Sequence, residues 1–324
     1  MVDVVGVGGA VLDHLINVDQ VPAGKDGGAR VHEMFLQGGG NVATAMAAAA
    51  RLGAKAGMLA KVGSDFAGDY IIKDFNYNGV DTSRMIRGAP DTTSPYVVAV
   101  SEKVSNTRFF MGRGSTIERL QPEELDKEYI AGAKILHVDH GGPTPTAAAE
   151  YARSQGLQVT IDAGYYSQDR VDIIPLVHVY IASEMFYDGM FPDSKDKLED
   201  NCRKLHDMGP EVVWVTLGER GCVGLVDGKF HTLPAFKIPE VVDTVGAGDV
   251  FHGAYVAAML EGLPPVECAR YSSAVSALKC MYVGGRTGIP NRETLRRFME
   301  EGVIDRTELD ARLEYYRKDF LATR

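Results

Sequence analysis

Cysteine is scarce in this chain, and basic residues do not prevail. The four cysteines among 324 residues, Cys202, Cys222, Cys268 and Cys280, are scattered, with no CxxC pair and no framework of a small secreted domain. That usage predicts reduced thiols in a cytoplasmic protein and no disulfide. Lys and Arg total 34 against 44 Asp and Glu, a net charge of −10. Such a balance argues against a general nucleic-acid or anionic-membrane surface and points to small-molecule partners. No apolar run approaches the roughly 20 residues that a membrane-spanning helix needs; even "TAMAAAARLGAKAGMLA" is broken by Arg51 and Lys55. The opening "MVDVVGVGGAVLDHLINVDQVP" lacks a basic leader region and carries Asp3 and Asp13, so it reads as a first strand rather than a signal peptide. Internal repeats and long low-complexity linkers are also missing. What remains is ordinary globular composition, 45% hydrophobic and 24% charged, read as a single domain over residues 1–324.

Short β-rich runs, "DVVGVGG", "KILHVDH", "QVTIDAG" and "EVVWVTLG", alternate with helical stretches at 41–52, 66–78, 144–155 and 195–208. The alternation predicts an α/β fold with a mainly parallel central sheet flanked by helices. Two stretches break it, residues 14–37 and 92–113, where strand-like runs follow one another; they are expected to leave the main sheet as a small β-sheet lid. The tail places Leu309, Leu313 and Tyr316 at helical spacing. That stripe is expected to pack on the same subunit, with a homodimer through the lid or this helix as the alternative.

A parallel sheet presents ligands at the carboxyl ends of its strands. Gly8, Gly9 and Asp13 follow the first strand, Asp139 and His140 follow "KILHV", and "LGERG" follows "EVVWVT". The fourth such place is "VVDTVGAGDVFHGA", residues 241–254. Gly246 and Gly248 allow successive N–H groups to point into one concave space, and the helix that follows adds its positive end. Asp249, beside such an anion cradle, is suited to accept the proton of an attacking hydroxyl. Read blandly, the same residues are a tight turn with an aspartate N-cap. Asp243 is read as structural or as helping to bind a cation.

"DTVGAGDVFHGA" resembles the second signature of the ribokinase-like, or PfkB, carbohydrate kinase family. "GGGNVATAMAAAARLGA" at 38–54 and "KVGSDFAGDYIIKDFNYNGVDT" at 61–82 resemble its first signature region, so the likeness covers nearly the whole chain. The resemblance implies a ribokinase-like fold and ATP-dependent phosphorylation of a small-sugar hydroxyl with Mg2+. It makes Gly246, Ala247 and Gly248 the anion hole and Asp249 the general base. Gly38, Gly39, Gly40 and Asn41 become sugar-site candidates. Asp13 matches the residue that binds sugar hydroxyls, a task suited to a carboxylate. Thr216, Gly218 and Gly221 resemble the nucleotide-binding turn. Gly284 and Gly285, in "LKCMYVGGRTGIP", resemble the late loop beside the adenine, where backbone groups also help hold a monovalent cation. With Asp243 that raises potassium activation. Glu184 lies where many members carry an N-x-x-E motif linked to magnesium, although Ser183 and Phe186 replace its two end residues. It is read as acting through water or as an exposed strand-end carboxylate. "PAFKIPEVVDTVGAGDVFHGA" and "SALKCMYVGGRTGIP" look most like the ketose-directed branches, sulfofructose kinase and then ketohexokinase. A nucleoside kinase of the same fold and a non-catalytic sugar-binding relative are the alternatives.

Substrate charge is approached through Lys25, Arg30, Arg108 and Arg113, which fall in the lid stretches. A neutral ketose or related polyol is expected; an acidic sugar met by the planar fork of Arg113 is the alternative. Two other signals are set aside. "GVGGAV" lacks the third glycine of a dinucleotide fingerprint. The side chains of "HVDH" alternate across a strand, so they do not converge on a metal; Asp139 or His140 is read as facing the sugar pocket or as ending a strand.

Overall fold

The computed structural model describes residues 1–22, 27–104 and 107–322, with side chains to residue 319; Lys25 lies outside the described residues. The chain runs β1 (Val4–Val7), β2 (Val11–Val18), β3 (Val31–Gly39), α1 (Asn41–Arg51), β4 (Ala56–Leu59), β5 (Lys61–Val62), α2 (Phe66–Tyr77), β6 (Ile86–Arg87), β7 (Tyr96–Glu102) and β8 (Thr107–Arg113). It continues through α3 (Lys127–Ala131), β9 (Ile135–Val138), α4 (Pro143–Ser154), β10 (Gln158–Ala163), α5 (Gln168–Asp172), β11 (Val179–Ser183), α6 (Glu184–Met190), α7 (Leu198–Asp207) and β12 (Val212–Thr216). β13 (Cys222–Val226), β14 (Lys229–Leu233), α8 (Ala247–Leu260), α9 (Pro265–Lys279), α10 (Arg292–Glu301) and α11 (Thr307–Ala322) complete it.

The main sheet has eight strands in the order β14-β13-β12-β11-β10-β9-β1-β4. Its pairs are parallel from β4 to β12, and β13 and β14 add antiparallel. Successive residues face opposite layers, as the two-residue period of a strand requires. In β12, Val213 and Val215 join a core with Phe186, Cys202 and Leu205. Val212 and Trp214 instead join Val250, Phe251 and Ala254 of α8 and Ala274 of α9. Helices therefore cover both faces. Three of the cysteines are buried, Cys280 is half-buried, and none is bonded to another.

The stretches that break the alternation form a second sheet, β3-β2-β7-β8. Its first stretch begins earlier and ends later than the sequence suggests, because the β2–β3 ladder runs on through Asp13↔Gln37 to Val11↔Gly39. Asp13, Gly38 and Gly39 thus belong to this sheet, not to loops of the main one. Leu15 and Phe35, paired across the sheet, are buried on one face with Tyr316, Leu12 is buried on the other against α1, and all of β8 is exposed. α11 packs on this chain: Leu309 and Tyr316 are fully buried, and Tyr316 stacks on Phe35 of β3. Among the described residues, no helix is long and apolar enough to cross a membrane.

Candidate active site

The chain leaves β1 toward β4 on one side and returns to β9 on the other, so the strand order reverses between β1 and β9. Ligands of open α/β sheets bind at such a switch point. A cavity of about 770 Å³ opens there, lined by Gly40, Asn41, Asp139, His140, Tyr165 and Arg170 among others. His140 is paired with Asp139. Asn41 is the first residue of α1, so the helix start carries it to the cavity wall. Arg113 is absent from the lining; it is exposed and holds Asp65 Oδ2 at 3.3 Å. Arg108 of β8 donates to Thr244 Oγ1 at 2.7 Å, next to the glycine turn.

Two glycines let charged groups sit beside the end of β3. A side chain on Gly39 would occupy the space of the Asp13 carboxylate, and one on Gly38 would collide with Arg286 and Asp74. Arg286 and Asp74 form an ion pair at 0% and 1% exposure. Burial pushes the Asp13 carboxyl up to about 7; Arg286 opposes the rise and Asp74 adds to it. Sequence reasoning did not single out Arg286 or Asp74. The signal for Asp74 was its place on the apolar side of α2, between Ile71 and Asn78, all three buried. Arg286 follows the glycine pair in the late loop.

Gly246 takes φ +73°, a left-handed angle that favours glycine, and forms the N-cap of α8. Its carbonyl accepts the Val250 amide at 2.9 Å, so the helix begins directly after the turn. No atom would crowd a side chain on Gly248, which faces open space. This geometry fits a phosphate group approaching backbone N–H donors and a helix N-terminus. Asp249 stands in the first turn and is half-buried. Burial, followed by the Asp162 charge, pushes its carboxyl up to about 7, while His252 works the other way.

Asp243 leads the turn. Its Oδ1 accepts the Val245 amide at 2.9 Å and its Oδ2 the Gly284 amide at 2.8 Å. The ammonium of fully buried Lys279 donates to the Asp243 carbonyl at 2.7 Å. Of the two roles the sequence leaves open for Asp243, these contacts favour the structural one. Gly285 lies against Gly246, which brings the late loop to the glycine turn.

Farther along the sheet edge, Thr216 ends β12 and its hydroxyl donates to the Ala182 carbonyl at 3.4 Å. Gly218–Arg220 form a single tight turn, closed by Gly221 at φ +87°. Glu184 opens α6 and pairs with Arg220 on the surface. Among the described residues, no cluster of three or more metal-ligating side chains occurs. Glu184 is exposed at the end of β11.

The sequence profile of the pfkB family carbohydrate kinases matches residues 1–292. The chain belongs to this family. As a pfkB kinase it is 28% identical over 312 residues to the nucleoside kinase of Methanothermobacter thermautotrophicus, covering 91% of this chain and 95% of that protein. It is 26% identical to the ribokinase of Haemophilus influenzae, covering 81% and 87%. The structure of Arabidopsis thaliana ribokinase complexed with ribose and ATP matches it with a TM-score of 0.77 at 20% identity, over 92% of this chain and 99% of that one. The fold is ribokinase-like, and the protein is a sugar or nucleoside kinase. In this pfkB kinase, α11 lies beyond the region that the family profile matches.

Proposed function

We propose that this kinase phosphorylates a hydroxyl of a small neutral sugar, a ketose or related polyol, with Asp249 as general base and Gly246–Gly248 as anion hole. The observation that carries the proposal is the placement of Asp249 in the first turn of α8, directly after an open glycine turn. Its carboxyl, pushed up to about 7, is matched to taking a proton near neutral pH. ATP supplies the phosphoryl group and Mg2+ the neutralising charge. Asp13 accepts the sugar's hydroxyl hydrogens, and Asn41 and His140 line the cavity at the switch point. The amides of residues 246–248 stabilise charge on the transferred group. Thr216, Gly218, Gly221, Gly284 and Gly285 shape the nucleotide side. The second sheet acts as a lid that excludes water.

A neutral substrate is supported by the cavity's balance, Lys61, Arg119 and Arg170 against Glu118, Asp139 and Asp169, and by the engagement of Arg113 with Asp65. The ketose rests on the resemblance of residues 234–254 and 276–290 to ketose-directed branches. A nucleoside substrate is the second reading, supported by the likeness to the Methanothermobacter nucleoside kinase and by the exposed Tyr165 ring at the cavity wall. For a homodimer, the exposed Phe109, Phe110 and Met111 of edge strand β8 make the lid the better contact. ADP release across neutral ketoses, aldoses, their acidic analogues and nucleosides tests the proposal. Highest kcat/KM on a neutral ketose supports it, and preference for a nucleoside or an acidic sugar replaces it.

A further inference from the structure

Behind Asp249 lies a buried polar cluster that the glycine-turn chemistry does not use. His252 comes one turn after Asp249 on α8, and residues three apart are neighbours on a helix surface. Its Nε2 stands 3.2 Å from Oδ1 of Asp162 on β10, and both side chains are 4% exposed. On β9, His137 Nδ1 is bonded to Thr160 Oγ1 at 2.8 Å, and its ring centre is 5.8 Å from that of His252. Asp162 Oδ2, His252 Nδ1 and His137 Nε2 are buried without a protein hydrogen-bond partner. The cluster also reaches the cavity wall, since a methyl on Gly164 would stand 3.4 Å from both Asp162 Oδ1 and Asn41 Nδ2.

Burying such a pair does not by itself favour folding, because well-packed apolar replacements are often neutral or stabilising. Its position suggests another use. We propose that Asp162 and His252 are positioning residues for Asp249, a buried hydrogen-bonded pair one helical turn away that sets the pH at which it becomes a base. This rests on the reading of Asp249 as the general base.

The electrostatics around Asp249 agree. Burial and then Asp162 raise its proton affinity, Asp13 on β2 and Asp139 after β9 raise it further, and His252 opposes them. Asp13 is itself answered by Arg286 and reinforced by Asp74. Burial works to raise Asp162, but His252 first, then His137 and Arg170, hold it below the usual carboxylate range. Asp162 therefore stays charged at neutral pH, and the two members of the pair push Asp249 in opposite directions. Damage to packing alone would not produce opposite shifts.

The test is the pH profile of kcat/KM for the sugar at saturating ATP, with melting temperature and ADP binding as checks on folding. Asp162→Asn should move the acidic limb down by about 1 pH unit, the effect of removing one nearby charge, and His252→Gln should move it up. The double variant should return toward the parent. Limbs that stay in place, or move the same way in both variants, overturn the proposal. Should Asp162→Asn fail to fold, the upward shift in His252→Gln decides alone. Asp249→Asn, measured alongside, separates the two levels. Near-parent turnover there removes the general base itself, whereas lost turnover with unmoved limbs removes only the role of the pair.

Discussion

Gly246 and Gly285 meet backbone to backbone: a methyl group on Gly246 would lie 2.7 Å from the Gly285 Cα. The late loop thus closes on the glycine turn with no room for a side chain, at a residue whose φ is +73°. Gly246→Ala should cost about 1–2 kcal/mol for the left-handed angle alone, and displacement of the cradle should lower kcat as well. Urea unfolding and steady-state kinetics measure the two effects. Parent-like values in both would show that the contact yields freely.

Asp249→Asn keeps the shape of the side chain and removes the proton acceptor. Turnover should fall about 10²- to 10⁴-fold, with ADP binding by calorimetry close to the parent. A variant with near-parent turnover would exclude Asp249 as the base.

For Asp13→Ala the expected loss lies on the sugar side. Charge-assisted hydrogen bonds contribute roughly 1.5–3 kcal/mol, so sugar affinity should drop by about ten- to a hundred-fold while ATP affinity changes little. Equal weakening of both ligands would indicate a general structural defect and leave Asp13 without the assigned role.

Asp13 and Asp249 also tie stability to pH. Each rises from 3.8 to about 7 on folding, so the native state holds these protons more tightly than the unfolded chain. Their contribution to stability is full below pH 4 and is lost as pH rises toward 7. Three pKa units correspond to at most about 4 kcal/mol per group. Asp249→Asn should therefore melt higher than the parent at pH 8 and close to it at pH 4. The reverse ordering, read by differential scanning calorimetry, would contradict the assigned direction.

The Arg286–Asp74 pair is fully enclosed beneath Gly38. It is tied to α11, where Arg312 donates to the Arg286 carbonyl at 2.8 Å and Tyr316 to Asp74 Oδ1 at 2.8 Å. Removing one buried partner strands the other, at about 3–5 kcal/mol. Arg286→Met should lose that much in chemical denaturation, and the double variant Arg286→Met/Asp74→Leu should lose less. Equal loss in both would mean that the charges contribute nothing beyond packing.

Local chemistry was legible along the chain. Helices expected at 41–52, 66–78, 144–155 and 195–208 occur at 41–51, 66–77, 143–154 and 198–207. The turn before α8 could be read because a left-handed glycine and the residues following it are set by a few neighbouring backbone angles. The second sheet was visible as a break in the alternation, but its ends were not, since ladder length depends on the partner strand.

The sequence by itself determined the order of strands and helices, the glycine turn, and the place of Asp249 just after it, all of which follow from periodicity and local backbone freedom. Tertiary structure alone decided which charges meet. It joined Arg286 to Asp74 across 212 positions, gave Arg113 to Asp65, and buried His252 against Asp162. The two buried pairings depend on which groups lose water together, the exposed one on which strands and helices meet at the surface, and both belong to the packed molecule rather than to any stretch of chain.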